Sequence, residues 1–151
     1  MFEIQYNKLR FLERKEVKDV KNKLKEQFGF EEELNYYFLQ NEKGKLFVTS
    51  RKISDVELEG LRINTIGMYF GQLKDGRTKL GRTNEENKLR LSIEGTQLIG
   101  KDCKKNVVEL NDSEIKEWMC GEEVRKEGLE VNEFYIVKRK DDFLGCGKFY
   151  G

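Results

Sequence analysis

The stretch KLRLSIEGTQLIGKDCKKNVVEL, residues 88–110, organises the reading of the whole chain. Leu89 and Leu91 alternate with Lys88, Arg90 and Ser92, which is the two-residue period of a half-buried strand. Ser92 and Glu94 then open a short amphipathic helix, with Ile93, Gln97 and Leu98 on a shared face and Gly100 as its stop. A basic loop follows, Lys101, Lys104 and Lys105, and leads into a second strand carrying Val107, Val108 and Leu110. Strand, short helix, basic turn and strand place cations and free backbone donors at one edge of a sheet. That arrangement suits a phosphate chain better than a deep pocket.

Toward the C-terminus, Asn111 is a helix cap with Glu114 three residues on, close to a capping box, and Ile115, Trp118 and Met119 follow at helical spacing. Gly121 ends that helix, and residues 124–130 are a charged connection. Residues 134–138 (FYIVK) read as a buried strand, Asp141-Asp142 as a turn, and residues 143–150 as the hairpin partner. Toward the N-terminus, Val17, Val20, Leu24 and Phe28 recur at helical spacing over residues 13–28, with Lys18, Lys21 and Lys25 outward and Gly29 as the stop. Residues 35–40 (NYYFLQ) and 45–50 (KLFVTS) flank a short polar loop and predict a hairpin. Residues 2–10 fit either a strand or an arm leading into the first helix. Residues 54–59 suggest a turn of helix, and residues 61–72 a strand running into a strand, with Gly67 and Gly71 at bends or bulges. Asp75-Gly76 and residues 81–87 are polar and turn-rich, and mark a boundary before Lys88.

Composition sets the frame around these elements. A chain of 151 residues holds one ordinary domain or two small packed ones, and 37% hydrophobic content with ten Phe and six Tyr supplies a core. The 38% of charged residues then form a mixed surface, and Lys/Glu enrichment of this kind is a hyperthermophile tendency. With a net charge of +1, affinity for nucleic acid has to come from a local patch. No apolar run approaches the ~20 residues of a membrane span. The opening MFEIQYNKLRF lacks the apolar core of a secretory signal, so the cytoplasm is the expected compartment. Cys103, Cys120 and Cys146 are odd in number and widely spaced, which fits reduced thiols rather than a disulfide framework.

Three segments together carry a resemblance: GMYFGQL at 67–73, LRLSIEGTQLIGKDCKKNVVEL at 89–110 and FLGCGKFYG at 143–151. They resemble a PUA RNA-binding domain with its upstream extension. The relatives are the C-terminal module of the Sun/Fmu family of RNA cytosine-5 methyltransferases, in its archaeal form, and the Nip-type ribosome-assembly factors. The resemblance covers roughly residues 46–151. It implies that the first and last strands of the module are neighbours, so that Arg90, Lys101, Lys104, Lys105 and Lys148 gather near one edge, with Lys138, Arg139 and Lys140 flanking the preceding turn. Unpaired bases stack on aromatic rings, which makes Tyr69, Phe149 and Tyr150 candidates. Trp118, beside Met119 and at helical spacing from Ile115, reads instead as core.

Other chemistries find little support. The glycines of GMYFG match neither a P-loop nor a dinucleotide fingerprint. The chain has no His and no closely spaced cysteines, so no metal ligand set can be assembled. The methyltransferases named above attack with a cysteine that follows a proline and need a glycine-rich domain for S-adenosylmethionine. This sequence has no proline and no room for such a domain, so the resemblance extends to the RNA-binding module alone. Cys146, between Gly145 and Gly147, reads as a small packed residue. Adjacent acidic residues such as Glu31 to Glu33 and Glu122-Glu123 read as solvated turns rather than as an acid/base pair.

The expectation is therefore an α+β protein. Residues 1–87 form a helix-plus-hairpin half, packed on a PUA-like mixed β-barrel over residues 88–151. Its expected role is non-catalytic RNA binding in the modification or maturation of ribosomal or transfer RNA, with neither cofactor nor metal and no membrane. Arg90, Lys101, Lys104, Lys105, Lys138, Arg139, Lys148 and Tyr150 are the expected contacts. RNA is the expected partner, alongside an RNA-modifying enzyme or a ribosome-assembly factor. Two rivals are a Nip-type assembly adaptor working mainly through protein contacts and an enzyme with a cysteine nucleophile.

Overall fold

A computed structural model of the chain describes residues 3–4, 9–50, 67–74 and 88–151. Strands β1 (Glu3–Ile4) and β2 (Leu9–Phe11) are antiparallel and lead into helix α1 (Arg14–Phe28). The predicted stripe forms: Val20, Leu24 and Phe28 are buried, and Val17 packs against the same core. At the helix start the Glu16 carboxylate accepts from the Glu13 N–H and from both terminal nitrogens of Arg10 at 2.6–2.7 Å. At its end Gly29 takes φ +63°, a left-handed value that glycine adopts without a Cβ penalty, and its N–H returns to the Lys25 carbonyl.

The predicted hairpin is present as β3 (Tyr37–Gln40) and β4 (Lys45–Thr49), antiparallel, with Phe38 opposite Val48 and Leu39 opposite Phe47. Asn41 shapes its loop, the side-chain oxygen accepting from the N–H groups of Lys43 and Lys45. Strand β5 (Met68–Lys74) pairs with β4, and β6 (Lys88–Leu91) with β5, so that a six-stranded antiparallel sheet runs β1-β2-β3-β4-β5-β6. The readings of residues 54–59, of 61–66 and of the turn-rich 75–87, together with most of 2–8, fall outside the described residues.

Helix α2 (Ile93–Ile99) follows, capped by the Ser92 hydroxyl, which accepts from the Gly95 N–H and donates to carbonyls of β5. The helix is where the sequence predicts it, but it presents another face. Gly95, Thr96 and Ile99 are buried, while Ile93 is 58% exposed and Gln97 lies outward. The cause is backbone approach: a Cβ at Gly95 would collide with the Phe70 carbonyl oxygen, so the helix docks through Gly95 and Thr96 together with Ile99 instead of through Ile93. Gly100 is the C-cap at which the α-helix ends, as predicted, though not through a left-handed turn. It keeps right-handed helical angles and continues into a 3-10 turn, Gly100–Asp102, where a Cβ would collide with the Phe143 ring.

Strand β7 (Val107–Glu109), helix α3 (Asp112–Met119), β8 (Phe134–Arg139) and β9 (Asp142–Lys148) complete the fold. The Asn111–Glu114 capping box is present, with reciprocal bonds of 2.8 and 3.0 Å. β7 runs parallel to β8 and β9 antiparallel to it, giving a three-stranded sheet in the order β7-β8-β9. Its hairpin turn sits one residue earlier than predicted, because Lys140 takes φ +54° and Asp142 already pairs with Arg139.

The expected closed barrel is not what these strands build. Among the described residues the two sheets are open, and β6 pairs with β5. Helix α2 bridges the sheets, packing on β5 and on β9, while β6 and β9 approach without a shared ladder. One apolar core nevertheless runs through both parts: Leu24 and Phe28 of α1, Phe38, Phe70 and Leu89 of the large sheet, and Phe134, Ile136 and Cys146 of the small one share a single cluster.

Candidate nucleic-acid interface

The basic loop is set by the end of α1. The N–H groups of Lys104 and Lys105 both donate to the Phe28 carbonyl, at 3.0 and 3.1 Å, and the Lys105 ammonium donates to the Glu26 carbonyl at 2.9 Å. Last-turn carbonyls of a helix lack intrahelical donors and carry its negative pole, so this loop is the cap that α1 needs. The backbone of Gly29 lies against the Cβ atoms of Lys104 and Lys105. The ammonium of Lys105 is thereby engaged, whereas Lys101 and Lys104 are exposed and have no carboxylate partner among the described residues.

At the other candidates the β8–β9 hairpin decides the geometry. Lys148 stands opposite Phe134, and its ammonium lies 6.0 Å from the Phe134 ring centre and 5.5 Å from that of Tyr150. Lys138 stands opposite Phe143 and lies 5.8 Å from its ring. Arg139 is held by Asp112, with Nε and one terminal nitrogen on the same carboxylate oxygen at 3.0 and 2.6 Å. Lys138 and Arg139 are therefore at one end of the hairpin and Lys148 with Tyr150 at the other, about 13 Å apart at strand rise. Arg90 is exposed on β6, and its charge acts on the Tyr69 phenol, whose pKa is raised by burial against that opposing influence. Tyr69 also has the Lys45 ammonium 5.5 Å from its ring and packs beside Phe47.

Four participants are not legible in the sequence. Phe134 is a ring for Lys148, Asp112 a clasp for Arg139, and Gln27 a partner for β6; Lys88 is itself tied to Glu133 at 2.8 Å and to the Asn132 carbonyl. Each is a pairing between segments far apart in sequence, so local periodicity carries no trace of it. A polar cleft between α1 and the start of β8 gathers Lys23, Lys88 and Lys105 with Glu26, Glu130 and Glu133, and so has no net sign with which to draw an anion.

Cys103 and Cys146 are placed as small packing groups, while Cys120 is exposed. Burial pushes Cys146 up to about 11 and Cys103 up to about 12, and both stay protonated at neutral pH. Gly145 and Gly147 form a flat strip on β9 against which the Trp118 ring lies, with a Cβ at Gly147 reaching to 3.0 Å of it. Trp118 is thus half-buried on that strip, and its neighbour Met119 is 72% exposed. Among the described residues no group of His, Cys, Asp and Glu is arranged to hold a metal ion, and no helix is long and apolar enough to cross a membrane.

The parallel β7–β8 pair, the α3 crossover and the β8–β9 hairpin lie in a stretch that is similar to a PUA domain. The matching family, over residues 105–151, is the methyltransferase RsmF PUA domain, in keeping with a module like that of the Sun/Fmu proteins. No curated protein matches the chain.

Proposed function

We propose that this chain is a non-catalytic RNA-binding protein that acts in the cytoplasm in the modification or maturation of ribosomal or transfer RNA. The match of residues 105–151 to a PUA domain of an RNA-methyltransferase type carries the reading. The exposed cations Arg90, Lys101 and Lys104 support it, since each is available to a phosphate without first breaking an ion pair among the described residues. Arg139 serves the fold through Asp112, and Lys105 serves it through Glu26.

A salt titration tests the reading. Each lysine bound to a phosphate releases a counterion, so the slope of log affinity against log salt falls by about 0.7 to 0.9 for every such lysine replaced. Substituting Lys101 and Lys104 by Ala should flatten the slope more than the same substitution at Lys18 and Lys21 of α1. Equal effects would reduce the binding to diffuse attraction. Absence of binding to structured ribosomal or transfer RNA at low salt would overturn the assignment.

A second reading, an assembly adaptor working through protein contacts, draws support from the exposed apolar side chains of Met119 and of Ile93, the latter lying with Trp118 against Gly145. Recovery of RNA or of protein with the chain from its native cell separates the two.

A further inference from the structure

Tyr150 is an anomaly on this surface. Its ring is 74% exposed, yet the backbone that carries it is fixed: the Phe149 N–H donates to the Glu133 carbonyl at 3.0 Å, and the Asn132 N–H to the Phe149 carbonyl at 2.7 Å. The ring contributes little to the core, yet it follows directly on a residue tied by both of its backbone groups. Beside it, Lys148 offers an ammonium 5.5 Å from the ring centre with no carboxylate partner among the described residues. Val131, 53% exposed, lies against the backbone of Gly151 and extends the apolar patch. The nearby cation Lys88 is already neutralised by Glu133, which leaves Lys148 as the free charge of this corner among the described residues.

We propose that Tyr150 is a stacking platform for an unpaired nucleobase and that Lys148 holds the phosphate next to it, so that this corner takes a single-stranded RNA segment rather than duplex. The inference rests on the RNA reading above and adds the kind of RNA. A base inside a duplex is covered on both faces by its neighbours, and only an unpaired or terminal base has a face free for an aromatic ring. An exposed ring with a cation at one side offers such a base a π-surface while the ammonium meets the backbone. The pair lies on a strand end open to solvent, where a flexible strand can pass and a rigid helix needs no ring.

The experiment compares the full chain and three variants, Tyr150→Ala, Tyr150→Phe and Lys148→Ala, on two RNA hairpins of equal stem, one blunt and one with a six-nucleotide single-stranded tail. Binding is read by fluorescence anisotropy, with thermal melts to establish that every variant is folded. The parent should prefer the tailed hairpin. Tyr150→Ala should weaken that complex by roughly 5- to 160-fold, the range for loss of one base–aromatic stack, and leave the blunt hairpin within two-fold. Tyr150→Phe should bind like the parent, and Lys148→Ala should flatten the salt dependence on the tailed RNA. Equal parent affinity for the two hairpins, with Tyr150→Ala silent on both, would overturn the platform and leave the RNA reading standing. A Phe variant as weak as the Ala variant would replace stacking by a hydroxyl contact and overturn it as well. A parent that binds neither hairpin would remove both readings and make this corner a protein-contact surface.

Discussion

Gln27, on the last full turn of α1, holds both backbone groups of Leu89: its amide nitrogen donates to the Leu89 carbonyl at 3.0 Å and its oxygen accepts from the Leu89 N–H at 2.8 Å. A side-chain amide thus stands where another strand would, on the outer edge of β6, and the edge that would recruit a neighbour is closed. Replacing Gln27 by Leu keeps the volume and leaves a donor and an acceptor without partners. The expected loss is about 1–3 kcal/mol in urea unfolding. A loss below about 0.5 kcal/mol would mean that water substitutes freely for the amide.

Glycines in the bridging helix and in the closing strand are expected to differ in tolerance. At Gly95 a Cβ meets a carbonyl of β5, a part of the backbone that cannot yield, whereas at Gly147 it meets the edge of the Trp118 ring, which can move. Gly95→Ala should therefore cost more stability than Gly147→Ala, by at least ~1 kcal/mol. The fluorescence of Trp118, the single tryptophan, should shift to the red in Gly147→Val as the ring is displaced. An unshifted spectrum would show that the ring is held elsewhere.

The thiols should separate by reactivity. Cys120 is exposed, while Cys103 and Cys146 are raised to about 12 and about 11 by burial. Alkylation at pH 8 should give a singly modified protein long before a triply modified one, and the first site should be Cys120 by peptide mass. Melting in reducing buffer with a chelator should be unchanged. Rapid modification of Cys103 would contradict its packing against the core.

Acid should loosen the start of α1. The Arg10 guanidinium holds the Glu16 carboxyl below its ordinary value of 4.5, so the folded protein binds this proton less readily than the unfolded chain. Such a group contributes stability that is fully present above pH 4.5 and is lost as pH falls through the lowered folded value. The Glu16→Gln variant should show a flatter fall of melting temperature below pH 4.5 than the parent. Parallel curves would mean that the half-buried pair is too well screened to matter.

What can be read in the sequence is what one segment decides alone. The α1 stripe ending at Gly29, the Asn111 capping box and the β3–β4 hairpin each follow from residues within a few positions of one another, and each is present. The α2 face is not legible in this way, because Ile93 is as apolar as the buried Ile99, while the docking is decided by the absence of a side chain at Gly95 against a carbonyl 25 residues earlier. Among the candidate contacts, the lysines look alike in the sequence. Nothing local tells that Lys105 is engaged by α1 and Arg139 by Asp112, or that Lys148 shares its surroundings with two rings. Those distinctions depend on which distant residue happens to be opposite, and a charge in a string does not say so.

Because Phe134, Ile136 and Cys146 lie in one core with Leu24, Phe28 and Phe70, the stretch that bears the family likeness buries its apolar side chains against residues outside it. Cut at residue 104, it would turn a continuous apolar wall toward water and lose the carbonyl that pins its first residues. A gene fusion that borrowed residues 105–151 by themselves would carry over the recognisable letters and leave behind the half of the protein that keeps them dry.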